Sequence, residues 1–210
     1  EAKLQVSRVV GIDGYAGPSE LMAICDETAE VEWVALDVCA QAEHGADGPL
    51  VVAGTDAGVL AELGDRVAEL AAERPTVADA PFELVAAPSL EAAAELATAF
   101  APEHLQVDCR GAETIAELVP TAGCVFVGPH AGTAFGDYAA GSNHTLPTGG
   151  AGRFTGPLGP ETFMRRTARV RIGAEAAAAL APLVVPIAEA EGFPVHGESA
   201  SARAPRDRSS

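Results

Sequence analysis

ELMAICD, residues 20–26, then ETAEVEWVALDVCAQAEHG to residue 45 and LVVAG at 50–54, decide the fold of this chain. The first run is apolar, bounded by acids and as short as a strand. About Ala29 to His44 reads as a helix, and Leu50 to Gly54 as a second strand. The order repeats downstream. Ala57 to Arg74 is an amphipathic helix, Phe82 to Ala86 a strand, and Ser89 an N-cap for a helix through Phe100. Leu105 to Asp108 reads as a strand, Ala112 to Leu118 as a helix and Cys124 to Val127 as a strand. Short apolar strands separated by helices imply an α/β fold with a parallel, Rossmann-like sheet covered on its faces. Ligands of such sheets are expected at the carboxyl ends of the strands.

After Val127 the alternation stops. Gly128 to Gly159 is irregular and rich in Gly, Pro, His and Thr. A stretch this long inside a compact domain is functional or disordered, and its Ala134-Phe135 pair argues against disorder. From Glu161 the chain reads as a short helix, a strand over Ala168 to Ile172 and a long Ala-rich helix to Glu191. The expected domains are therefore an α/β unit over 1–160, a helical C-terminal arm over 161–198 and a frayed polar tail over 199–210.

Composition narrows the partners. The 210 residues suffice for one substantial domain, alone or with an appended arm. Thirteen Lys and Arg against 30 Asp and Glu give a net charge of −17, which excludes nucleic acid as a partner. Lys3 is the only lysine. Such acidity fits either solubility in concentrated salt or GC-rich codon usage. No apolar run reaches the roughly 18–20 residues that span a bilayer, and the stretch near 176–185 is broken by Pro182 and followed by Pro186. Cys25, Cys39, Cys109 and Cys124 lack metal or disulfide spacing and point to a reducing, cytoplasmic setting. No signal peptide is evident, and a start at Glu1 without Met reads as a truncated or partial gene product.

Few polar residues are placed for chemistry. Gln41 and His44 sit three apart at a helix end, where both can reach one point. They are solvated helix-end residues or half of a site for a metal that favours imidazole. Gly136 to Gly150, GDYAAGSNHTLPTGG, puts Asp137 where backbone can pack closely, with His144 seven residues on. By itself it reads as a turn-rich loop in which Asp137 is a cap. Glu103-His104 could divide proton transfer and water activation, although adjacent side chains ordinarily diverge. Glu191 and His196 follow the last long helix in AEAEGFPVHGE, where a lone His is ordinarily exposed. Phosphate loops of the GxGxxG or GxxxxGKS kind are absent, as is GxSxG, so nothing in these residues predicts a nucleotide site.

Taken together and in order, AGPSE (16–20), AQAEHG (40–45), PEHL (102–105), AGCVFVGP (122–129), GDYAAGSNHTLPTGG and AEAEGFPVH resemble the signature segments of histidinol dehydrogenases. The resemblance runs from Glu1 to about Arg203. It implies a zinc site of Gln41, His44, Asp137 and His196, a donor set that suits zinc. It implies Glu103 and His104 as the acid–base pair. His104 would take the hydroxyl proton, and Glu103 would activate the water that adds to the aldehyde-level intermediate. Ser19, Gln41, His44, His104, Asp137, His144, Glu191 and His196 would contact L-histidinol. The reaction implied is a two-step NAD-dependent oxidation through the aldehyde to L-histidine, the last step of histidine biosynthesis. It would take place in a homodimer whose C-terminal arms reach the partner subunit.

Members of that family are about twice as long, and the resemblance covers their second half. It therefore implies an incomplete Rossmann-like unit, with most NAD contacts in the missing first half, exposed apolar edges and no turnover by this chain alone. A non-catalytic remnant that binds zinc or substrate is the alternative. The residues alone would also fit a zinc-dependent hydrolase.

Overall fold

The computed structural model describes residues 1–204, so the last part of the expected tail lies outside the described residues. These residues fall into two compact units divided after Met164. The first opens with a short helix, α1 (Ala2–Val6), that the sequence pattern did not suggest. It then alternates β1 (Leu21–Cys25), α2 (Val31–Ala42), β2 (Leu50–Gly54), α3 (Ala57–Glu73), β3 (Phe82–Ala86), α4 (Leu90–Phe100), β4 (His104–Asp108), α5 (Ala112–Glu117) and β5 (Cys124–Val127). Every strand pairing is parallel, in the order β3-β2-β1-β4-β5. This is the α/β, Rossmann-like sheet that the alternation implies.

β1 is central, and all five of its side chains are fully buried. Successive residues of a strand point to opposite faces. Met22 and Ile24 join Ala93, Ala97, Leu105, Val107 and Ile115 beneath α4 and α5. Leu21, Ala23 and Cys25 join Val34, Val38, Leu60 and Leu63 beneath α2 and α3. Each fully buried Leu, Met or Ile contributes about 1.5–3 kcal/mol, so β1 anchors both layers. The edge strand β3 is only half covered, and Leu84 is 39% exposed.

Two helices begin as their sequences dictate. Asp56 caps α3 by accepting the N–H of Val59, and Ser89 caps α4 by accepting that of Ala92. α4 ends at Ala101, which is left-handed (φ 55°) and fully buried, and this reversal turns the chain toward β4. Inside the irregular stretch lies α6 (Thr133–Tyr138), followed by a 3-10 turn at Ala151–Arg153.

The second unit is a helical hairpin of α7 (Ala174–Ala190) and α8 (Pro194–Ser201), with Gly197 against Val185. The expected strand at Ala168–Ile172 does not form: those residues are irregular and exposed. A strand needs a neighbour to take up its backbone hydrogen bonds, and this segment has none among the described residues. No helix among the described residues is long and apolar enough to cross a membrane.

Candidate active site

α2 returns antiparallel to the strands, so its C-terminal end arrives at their amino edge. Gln41 lies in its last turn, and His44 lies just beyond it, with its N–H on the Gln41 carbonyl at 3.1 Å. His104 is the first residue of β4, and Glu103 precedes it. Ser19 and Glu20 lead into β1 at the same edge. The candidate site is thus at the amino edge of the sheet, whereas the general rule for such folds led us to expect the carboxyl edge. The cause is local. The polar side chains sit on the segments entering β1 and β4, and α2 brings its own to meet them.

A chain of hydrogen bonds joins them. Gln41 Nε2 donates to Ser19 Oγ (2.6 Å), and the Ser19 hydroxyl donates to Glu103 Oε2 (2.5 Å). The Glu20 backbone N–H donates to the same oxygen (3.0 Å). Because Glu103 stands ahead of the strand, its carboxylate can curl back to within 3.5 Å of His104 Nδ1. Nδ1 is also 3.2 Å from the Glu20 carbonyl oxygen. A carbonyl only accepts, so this contact assigns the proton to Nδ1 and leaves Nε2 as the basic nitrogen. Nε2 is buried and has no hydrogen-bond partner among the described residues. It faces Asp137, with Oδ1 at 3.8 Å, while Asp137 Oδ2 lies 4.0 Å from Nε2 of the half-exposed His44.

Asp137 is carried on α6, and the glycine before it explains how α6 fits. A Cβ on Gly136 would lie 2.6 Å from Cζ of Phe126, whose ring stacks on His104 with centroids 5.9 Å apart. Only glycine lets α6 press this closely on that ring. Electrostatics follow burial and pairing. Burial opposes charging His104, but the adjacent Glu103 carboxylate more than offsets this and raises its pKa. Burial likewise opposes ionising Glu103, yet hydrogen bonds from His104 and Ser19 hold its pKa below the usual value. Burial pushes the Glu20 carboxyl up, against the N–H of Gly149, which donates to its Oε1 at 2.5 Å.

The residues fit a metal held from one side. Two donors at roughly 2.1 Å from a tetrahedral zinc stand about 3.4 Å apart, so His44 and Asp137 need close only slightly around one. Gln41 would present its amide oxygen, since its Nε2 is committed to Ser19. Among the described residues no three His, Cys, Asp or Glu side chains form a metal-holding cluster, so an amide or a further donor is needed.

Ser19, Gln41, His44, Glu103, His104 and Asp137 are thus brought together. His144 is exposed in its turn and bonds to none of them. Glu191, at the end of α7, and His196, packed against Phe193, are exposed in the second unit. A cavity of about 340 Å³ in the first unit, lined by Lys3, Asp13, Tyr15, Leu146, Phe154 and Leu158 among others, includes none of the site residues.

The sequence pattern missed Glu20, Thr148, Asp37 and Gln106. Thr148 Oγ1 accepts the N–H of Gly17 at 2.5 Å, which with the Glu20–Gly149 bond ties the TGG turn to the approach to β1. Gln106 is fully buried and donates to Asp37 Oδ2 at 2.7 Å. A signal was present: HLQVD alternates polar and apolar residues in a strand buried on both faces.

The chain is thus a parallel α/β unit with imidazole and carboxylate side chains gathered at the amino edge of its sheet, and comparison with known proteins gives its family. The family model for histidinol dehydrogenase matches residues 1–204. A histidinol dehydrogenase of Haloarcula marismortui is 40% identical over 209 residues, covering 96% of this chain and 50% of that protein. One from Halobacterium salinarum is 40% identical, covering 96% and 49%. The crystal structure of histidinol dehydrogenase from Elizabethkingia anophelis superposes with a TM-score of 0.87 at 32% identity, over 96% of this chain and 48% of that one. This chain belongs to the histidinol dehydrogenase family. It spans about half the length of the curated relatives it matches.

Proposed function

We propose that the chain supplies the substrate-holding and proton-handling half of a histidinol dehydrogenase, corresponding to the second half of its relatives. That enzyme would oxidise L-histidinol through the aldehyde to L-histidine in a cytoplasmic homodimer. When bound, zinc would grip the substrate's nitrogen donors through Gln41, His44, Asp137 and His196, and NAD would accept hydride. The observation that carries the reading is His104, whose Nδ1 is held by Glu20 and Glu103 while its buried Nε2 lacks a partner among the described residues. A buried ring nitrogen left unpaired costs about 1–3 kcal/mol, a cost that a substrate hydroxyl at that position would remove. Nε2 takes the hydroxyl proton there. Glu103, held in its charged form, is in the state needed to draw a proton from water. Ser19, His144 and Glu191 orient the substrate.

Zinc content separates the parts of this reading. His44→Asn should abolish zinc retention, and His104→Asn should leave it intact. Full zinc in the His44 variant would overturn the site. Removing the chain from Glu191 onward should weaken zinc, and an unchanged affinity would remove His196 from the ligand set.

A further inference from the structure

β4 presents three polar side chains, His104, Gln106 and Asp108, to α2, and each is tied to a different level of that helix. Asp108 Oδ2 accepts the N–H of Glu30, the N-cap residue just ahead of α2, at 3.3 Å. Gln106 Nε2 donates to Asp37 in the middle of α2 at 2.7 Å. His104 is reached from the last turn through Gln41, Ser19 and Glu103. The last two levels are in step. Asp37 and Gln41 are one helical turn apart, about 6 Å along the axis. His104 and Gln106 point to the same face two residues apart, about 6.6 Å along the strand. Where Asp37 meets Gln106 therefore decides where Gln41 and His44 stand beside His104.

The same carboxylate faces a third element. Thr133, the buried first residue of α6, follows Gly132, the N-cap residue of that helix. Gly132 approaches so closely that a Cβ there would lie 3.2 Å from Asp37 Oδ1. α6 carries Asp137 four residues further on. Asp37 touches none of the reacting groups, yet it contacts the strand that carries His104 and the helix that carries Asp137.

We propose that Asp37 is the positioning residue of this site, its carboxylate locking α2, β4 and α6 together so that Gln41, His44 and Asp137 converge in front of His104. This inference rests on the metal-holding reading of those three residues.

The test measures Zn2+ affinity of this chain by competition with a chelator, together with amide hydrogen exchange of the metal-free chain. The variants are Asp37→Asn, which keeps shape but gives up one acceptor oxygen, and Gln106→Met, which removes the donor from the other side. Each should weaken zinc by about tenfold or more, the usual effect of losing a partner that orients metal ligands. Each should also speed exchange across Thr133–Tyr138 while β1 stays protected. Ser89→Ala, a cap lost from the opposite face of the sheet, is the control for general destabilisation and should leave zinc affinity unchanged. Zinc affinity within twofold of the parent in both variants, with α6 exchange unaltered, would overturn the proposal. So would an equal loss in Ser89→Ala. If Asp37→Asn does not fold, Gln106→Met decides by the same criteria. A parent chain without zinc affinity, or a His44→Asn variant that retains it, defeats the metal reading instead, and α6 exchange then decides the role of Asp37.

Discussion

His104 and Glu103 make one electrostatic unit whose effect on stability has a definite pH window. Glu103 has a folded pKa below its ordinary 4.5, so its contribution is present above 4.5 and is lost as pH falls through the lowered value. His104 has a folded pKa above its ordinary 6.5, so its contribution is present below 6.5 and is lost as pH rises through the raised value. Stabilisation by the pair is therefore greatest between these limits. Glu103→Gln should cost about 3 kcal/mol near pH 5.5, because it leaves a buried imidazolium without its partner. The cost should shrink toward pH 9. Urea unfolding of the metal-free chain at several pH values reads this directly, and a cost independent of pH would contradict the pairing. Glu103 and His104 were legible as a candidate pair, but their meeting was not. Neighbours in a strand diverge, and the pair works only because Glu103 lies outside the strand, a boundary set by the left-handed turn at Ala101. Glu20 and Gln106 were hidden for another reason: a buried polar residue is explained by partners distant in sequence.

Among the elements, β2, β3 and β5 and the cap Ser89 follow from local pattern, because apolar run length and cap chemistry are local properties. Ser89→Ala should lower stability by about 1 kcal/mol, measured by urea unfolding. The irregular stretch was legible only as functional. That it folds into α6 depends on contact with Phe126 and Asp37, which no local window contains. Gly136→Ala should cost about 1–3 kcal/mol, since the added methyl must displace the Phe126 ring. It should also weaken zinc binding, because Asp137 is the next residue. Unaltered stability and zinc affinity in that variant would mean that α6 is not held against the ring. The expected strand at Ala168–Ile172 failed because apolar alternation alone supplies no pairing neighbour.

For the whole molecule, the net charge of −17 predicts self-repulsion that salt should screen. The melting temperature should rise between low salt and 1 M NaCl, and a flat response would show that the acidic surface carries no such strain. The chain spans about half the length of the relatives it matches; the order of its elements was legible from sequence, whereas which of its surfaces the other half of such an enzyme would cover was not. Exposed Val9, Tyr15, Phe154 and Phe163 in the first unit are candidates for that cover. The central claim is that this chain holds the proton-handling site of a histidinol dehydrogenase. Its most direct test mixes the chain with the separately expressed half of the Haloarcula marismortui enzyme that lies outside the match, and follows NADH formation from L-histidinol in the presence of zinc. The account predicts NADH formation by the mixture and its loss in His104→Asn with zinc still bound. Turnover in the mixture that is unaffected by His104→Asn would contradict it.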